Sequence, residues 1–279
     1  MLENTFCHIP GIGLKTERAL WAGGVRAWED VLHGLPTGLS VRREADVRRH
    51  AEESATALGR GDARYFDRRL PAGERWRLFG GFNHSVAYLD IETTGMGDPS
   101  DIITAIGLYD GRTVTHYVHD RDLDQFADDV GRFDLLVTYN GKRFDLPFIR
   151  RYLGLSMDQA HVDLMFVLRS LGYRGGLKGC ERQLGIDRGI LDGLDGFFAV
   201  LLWQEYRATG DMRALDTLLA YNALDVVNLE TLMVLAYNMK LRGTPFAGSH
   251  CLASPAPATP PMHPDPSVIE RIRRNYGWT

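Results

Sequence analysis

Cysteine is scarce in this chain: Cys7, Cys180 and Cys251 are the only three in 279 residues, far apart and with no CxxC pair. That leaves no even-numbered disulfide framework, fits a reducing compartment, and argues against structural zinc. No apolar run approaches the ~20 residues that span a bilayer. The opening MLENTFCHIPGIG lacks the basic-then-apolar layout of a signal peptide. The expectation is a cytoplasmic protein with no membrane partner. The phosphate-loop pattern G-x-x-x-x-G-K-[ST] is missing too, which disfavours a helicase or P-loop ATPase. Nor is there an excess of positive charge, since the formal net charge is -4. Globally, then, electrostatics gives no argument for nucleic-acid binding.

What is present is an ordinary globular composition, 44% hydrophobic and 24% charged, enough for one large domain with a small appendage. Charge is unevenly placed. Residues 1–80 hold 13 Lys/Arg against 11 Asp/Glu, while residues 81–279 hold 19 against 25. A mildly basic segment precedes an acidic body.

Texture along the chain suggests four parts. Residues 1–60 read as a small helical module, and 61–83, punctuated by Gly and Pro, as a linker. Residues 84–243 carry strand-like runs at 86–92, 102–109, 113–119 and 134–139, with Asp110-Gly111 marking a hairpin turn. Helical patterns follow at 122–131, 146–153, 161–171, 176–184, 196–208 and 212–240. Residues 244–279 are rich in Pro, Ala and Ser and read as an extended tail, with a possible short helix in VIERIRRNYGWT. The expected fold class is mixed α/β (α+β), a central sheet flanked by helices.

Within this frame, residues 88–95, YLDIETTG, break an apolar strand with two carboxylates. Asp90 and Glu92 lie two apart and so share one face of the strand. Like charges at that spacing repel, so something must compensate, and a bound divalent cation is one answer. Asp145, in YNGKRFDLPFI, taken alone reads as a helix N-cap ahead of Leu146-Pro147. Tyr221 and Asp225, in YNALD, are four apart on a long helix and share a face. Asp163, in HVDL, reads as structural or substrate-side.

The order Asp-x-Glu on a strand, Asp at a helix start and Tyr-x-x-x-Asp on a late helix resembles the DEDD superfamily of 3′→5′ exonucleases, which have a ribonuclease H-like fold. With Tyr221 four residues before Asp225 and Ala220 five before it, the chain looks like the tyrosine branch. The wording of YNGKRFDLPFI followed by HVDL is most similar to YprB-type ribonuclease H-like domains. The resemblance covers about residues 84–240. It implies a two-metal site with Mg²⁺ or Mn²⁺ held by Asp90, Glu92, Asp145 and Asp225. In that scheme Asp90 bridges both ions, Glu92 and Asp225 hold the nucleophile-side ion, and Asp145 supports the second. Hard oxygen ligands suit such ions, and a pair of them can stabilise the attacking and leaving oxygens of a phosphodiester. Tyr221 would orient the attacking water, because its ordinary pKa of about 10 makes it a poor base at neutral pH. Thr93, Thr94, Asn140 and Phe144 are candidate contacts to the terminal nucleotide, with a turn or core role the equal alternative.

Near the N-terminus, Pro10-Gly11-Ile12-Gly13 leads into an apolar helical pattern and resembles a helix-hairpin-helix motif, a sequence-independent DNA-binding element. The resemblance implies phosphate contacts at Gly11, Ile12 and Gly13, with Lys15 and Arg18 adding charge. Backbone amides at a helix start suit a phosphate. The alternative is a plain interhelical turn. Gly34 to Leu39 reads as a degenerate second copy or, since Thr37 breaks the glycine pattern, as a packing partner only.

These expectations combine into a metal-dependent 3′→5′ exonuclease acting first of all on single-stranded DNA ends, with DNA favoured over RNA as partner. Two alternatives stand beside it: a nuclease-inactive DNA-binding adaptor, and an exoribonuclease.

Overall fold

The computed structural model describes residues 1–33, 41–255 and 262–277; Gly34 to Leu39 therefore lie outside the described residues. The N-terminal part holds α1 (Leu14–Ala22), α2 (Trp28–His33), α3 (Val41–Gly59), α4 (Ala63–Asp67) and α5 (Phe79–Phe82). Then come β1 (Val86–Thr93), β2 (Ile103–Tyr109) and β3 (Val114–Val118), followed by α6 (Phe126–Val130), β4 (Leu135–Thr138) and α7 (Asp145–Leu153). β5 (Ala160–Asp163), α8 (Leu164–Ser170), α9 (Gly176–Gln183), α10 (Gly196–Thr209) and α11 (Met212–Leu241) complete the body. α12 (Ala247–His250) and α13 (Pro266–Tyr276) lie in the C-terminal segment.

The five strands form one mixed sheet in the order β3-β2-β1-β4-β5. β2 pairs antiparallel with β1 and with β3, which it joins through Asp110-Gly111, while β4 pairs parallel with β1 and β5 parallel with β4. β1 is thus central. Strand alternation sorts its side chains between two cores. Ala87, Leu89 and Ile91 face the layer of Phe126, Phe148 and Ile149 from α6 and α7. Val86 and Tyr88 share a core with Val226 and Val227 of α11. Asp90 and Glu92 continue that second face where the apolar run ends.

α11 is long and apolar enough to cross a membrane, but 78% of its most apolar window is buried within the protein. Here those properties build a core helix. It packs against the sheet and against α10, which also reaches β1.

The structure corrects several expectations of organisation. Residues 61–83 are a packed segment, not a spacer: Phe66, Trp76, Leu78, Phe79 and Phe82 are buried. They join one continuous core with Leu2, Phe6, Trp21 and Trp28 on one side and Tyr88 and Tyr237 on the other. Aromatic side chains bury the most apolar area per residue, and this segment buries four of them, Phe66, Trp76, Phe79 and Phe82. The C-terminal segment is likewise no mere tail, since Phe246, Val268, Ile269 and Ile272 are buried. A strand, β5, occupies residues 160–163, where the helical pattern was expected to begin at 161; α8 follows directly, capped by Asp163.

The expected first arm of the N-terminal hairpin is reduced to a single 3-10 turn at Leu2–Asn4. Continuing the helix would need the amides of Phe6 and Cys7, and both donate instead to the Glu17 carboxylate, at 2.7 and 2.9 Å. Glu17 is fully buried and pairs with Arg77 at 2.9 Å. Gly11 adopts φ +81°, a conformation that favours glycine, and Gly13 caps α1. Ile12 is buried, whereas Lys15 and Arg18 are exposed.

Candidate active site

Four elements converge at the C-terminal end of β1. Asp90 and Glu92 come from the strand, and opposite them in β2 sit the small residues Gly107 and Ala105. Asp225 and Tyr221 come from α11, and Asp145 opens α7. Carboxylate oxygens of Asp90, Glu92 and Asp225 lie within 4.8 Å of one another. Glu92 and Asp225 are buried, and Asp90 is half-buried. Asp145 does not cap its own helix by a side-chain bond; Phe144 is the cap residue. Its Oδ1 instead accepts the Ile91 amide at 3.2 Å, drawing the α7 start against β1 between the two acids.

Such crowding has an electrostatic signature. Burial, then Asp225, Glu92 and Asp145, hold the Asp90 carboxyl well above the usual carboxylate range. Glu92 is pushed up to about 8, by burial first and Asp225 second. Asp145 rises to about 7 through burial. These are groups that resist ionising in the absence of a cation. Three converging oxygen ligands, two of them with raised proton affinity, fit a hard divalent ion, and Asp145 lines the same cleft beside them.

Two basic residues already touch the cluster. Lys178 of α9 donates to the Tyr221 hydroxyl and lies 3.2 Å from Asp225 Oδ2. Arg188 donates to Asp225 Oδ1 at 2.5 Å, and through another nitrogen to both Glu181 oxygens at 2.9 Å. Asn228 also donates to Glu181, at 2.8 Å. On the strand side, Asn222 donates to Asp90 Oδ2 at 2.9 Å. A side chain at Gly107 would collide with Asn222, so the glycine clears that approach. Tyr221 is fully buried, and burial together with Asp225 holds its hydroxyl well above the ordinary phenol range. With Lys178 donating to its oxygen, the phenol keeps its own proton to donate.

The acids floor an open cleft of about 770 Å³. Thr93, Thr94, Asn140 and Phe144 all line it, so the structure brings the four candidate nucleotide contacts to the acids. A β-bulge between Glu92 and Thr93 ends the regular pairing there and re-aims the threonines. Asn140 stands at φ +63°, held by Asp163, whose carboxylate accepts the amides of Asn140 at 2.8 Å, Lys142 at 3.1 Å and Met165 at 3.0 Å. Met96, Leu177 and Phe197 supply an apolar wall. The hairpin residues Gly11, Ile12 and Gly13 line a separate concavity with Arg69.

Sequence reasoning missed Lys178, Glu181, Arg188 and Asn222. Asn222 neighbours Tyr221 and could have been noticed, but Arg188 lies in an irregular stretch whose pairing with Asp225 only the tertiary fold creates.

An acid cluster on the central strand of a β3-β2-β1-β4-β5 sheet, closed by a helix bearing Tyr and Asp, defines a ribonuclease H-like architecture. The family model of the ribonuclease H superfamily matches residues 87–237, and the chain belongs to that superfamily. Among solved structures, the chain is similar to the family B DNA polymerase from the hyperthermophilic archaeon Pyrobaculum calidifontis. The identity is 19% and the TM-score 0.43, over 60% of this chain and 27% of the polymerase chain. This chain thus corresponds to little more than a quarter of that polymerase. No curated protein matches the chain.

Proposed function

We propose that this protein is a metal-dependent 3′→5′ exonuclease of the DEDD type, tyrosine branch, acting on single-stranded DNA ends. The observation that carries the reading is the convergence of five residues from β1, α7 and α11: Asp90, Glu92, Asp145, Tyr221 and Asp225 line one cleft. Asp90, Glu92 and Asp225 would hold a divalent ion, Mg²⁺ or Mn²⁺, and Asp145 would complete the ligand set for a second. Bound there, such ions activate a water at neutral pH and stabilise charge on the phosphoryl oxygens. Tyr221, neutral and fixed by Lys178, donates to and orients the attacking water. Thr93, Thr94 and Asn140 bind the sugar-phosphate end, and Phe144 with the apolar wall receives the base. The YprB-type resemblance supports this assignment. So does the hairpin at Gly11 to Gly13, with Lys15, as a sequence-independent phosphate contact that favours DNA; Arg18 borders a different hollow.

The test is a gel assay with 5′-labelled single-stranded DNA and RNA of one sequence, in Mn²⁺, Mg²⁺ or EDTA, beside Asp90→Asn. The expected result is a metal-dependent ladder shortening from the 3′ end, faster on DNA and absent in the variant. Faster shortening of RNA would make it an exoribonuclease. One observation favours a second reading: Lys178 and Arg188 already satisfy Asp225. A nuclease-inactive adaptor would bind DNA with no response to metal and no product.

A further inference from the structure

Away from the acid cleft, a concavity of about 450 Å³ is bordered by Arg18, Arg26 and Arg242 around Trp21 and Thr244. Arg18 projects from α1, Arg26 follows the turn after α1, and Arg242 caps the end of α11. The three come from segments far apart in sequence, and all three side chains are exposed. None of their guanidinium groups has a hydrogen bond or an ion pair among the described residues. Some surface arginines are paired, as where Arg271 bonds Asp211 and Glu205 and Arg213 bonds Asp211; what sets these three apart is that they border one hollow.

The backbone that carries these charges is fixed. Asn4 donates to the Arg26 carbonyl at 2.9 Å, and Asp30 accepts the Arg26 amide at 2.7 Å. Trp21 is buried, with its Nε1–H on the Asn4 carbonyl at 2.8 Å and its ring edge-on to Phe246 at 5.3 Å. At the end of α11, the amides of Gly243 and Thr244 take the Lys240 and Leu241 carbonyls, which blunts the negative helix end that would oppose an anion. Three like charges held around one hollow repel unless an anion joins them, and planar guanidinium forks match phosphate oxygens.

We propose that this three-arginine hollow binds the phosphate backbone of the nucleic acid whose end lies in the acid cleft. The proposal rests on the nuclease reading for the identity of the polyanion, and it adds a contact remote from the chemistry. Two observations favour nucleic acid over an acidic peptide or a lipid surface. The body that carries the cleft is acidic, 19 Lys/Arg against 25 Asp/Glu over residues 81–279, and two of the three arginines, Arg18 and Arg26, come from the mildly basic residues 1–80. Arg242 also ends the same helix that carries Asp225, 17 residues further along. At ~1.5 Å per residue the separation along the helix is about 26 Å, roughly the reach of eight stacked nucleotides at ~3.4 Å each.

The test is fluorescence anisotropy of the full chain with a labelled 20-nucleotide DNA strand in EDTA, across a range of KCl concentrations. The triple variant Arg18→Ala, Arg26→Ala, Arg242→Ala is expected to bind at least tenfold more weakly at 0.1 M salt. Its slope of log affinity against log salt should be shallower by about 2, from three lost contacts at ~0.7 each on a single strand. The triple Lys variant keeps the charge and should retain most of the slope. Parent-like affinity and slope in the Ala variant would overturn the proposal. So would unchanged DNA binding alongside lost binding to poly-glutamate or to phosphatidylserine vesicles, which would assign the hollow to an acidic protein or a membrane. Binding is measured without metal, so an absence of cleavage sinks the nuclease reading alone, and a parent-like salt slope sinks this one alone.

Discussion

Arg188 and Asp225 are locked together by a 2.5 Å contact in which both side chains are almost completely buried. Arg188 also holds Glu181, so one guanidinium bridges two carboxylates and aims one of them into the cleft. Removing one member of a buried ion pair typically costs about 3–5 kcal/mol, because its partner is left charged and unsolvated. Arg188→Met should therefore lower folding stability in EDTA by about that much, as read by urea denaturation. Adding Glu181→Leu should restore part of the loss. A stability loss under 1 kcal/mol in the single variant would mean that water reaches the pair.

Stability without metal should fall as pH rises. Glu92 and Asp145 have folded-state values of about 8 and about 7, against ordinary values of 4.5 and 3.8. Well below pH 3.8 both are protonated in the folded and unfolded chain alike, and their full contribution is present. As pH climbs toward 8 the unfolded chain releases protons that the folded chain still holds, and that stability is lost. In EDTA, Tm should drop between pH 5.5 and 8.5. Mn²⁺ should offset most of the drop, by about 2.7 kcal/mol at a hundred times its Kd, and Asp90→Asn should abolish the metal response. A flat Tm in EDTA would show that the acids are not crowded in solution.

Lys178 and Tyr221 act as a unit if the lysine is what fixes the phenol. Tyr221→Phe and Lys178→Met should each reduce kcat by 10- to 100-fold with little change in KM, a magnitude at or below the usual effect of a proton-handling group. The double variant should be scarcely worse than either single one, the signature of coupled residues. Fully multiplicative losses would assign Lys178 a separate role, such as contact with the leaving phosphate.

Much of this site was legible in the sequence because its spacings are local. Asp90 and Glu92 share a face through strand alternation, Tyr221 and Asp225 through helical spacing, and both periodicities belong to the backbone. Four of the strands and the long helices could be read for the same reason. β5 was not, because AHVD is short, merges into a helical pattern, and becomes a strand only by pairing with β4. Taken alone, Asp145 reads as a cap, because nothing local in the sequence points to its bond with Ile91, 54 residues away. The role of residues 61–83 was hidden similarly: Gly and Pro signalled a break, while the buried aromatics in that stretch depend on partners at both ends of the chain.

The C-terminal helix provides a direct test of whether the last segment belongs to the fold. Val268, Ile269 and Ile272 pack with Phe198 and Leu202 of α10 and with Leu215 and Leu218 of α11. The Asp265 amide bonds Thr217, and Arg271 bonds Asp211 and Glu205, so polar contacts pin both ends of the apolar stripe. α10 also supplies Phe197 and Val200 to the cleft, so α13 braces the helix behind the apolar wall. Ile272→Ala should cost about 2–5 kcal/mol in urea denaturation, the usual penalty for emptying a buried aliphatic site. Glu270→Ala, on the exposed face of the same helix, should cost less than about 0.5 kcal/mol. A simple tether would give two small and equal values, whereas a structural brace gives one large value and one small.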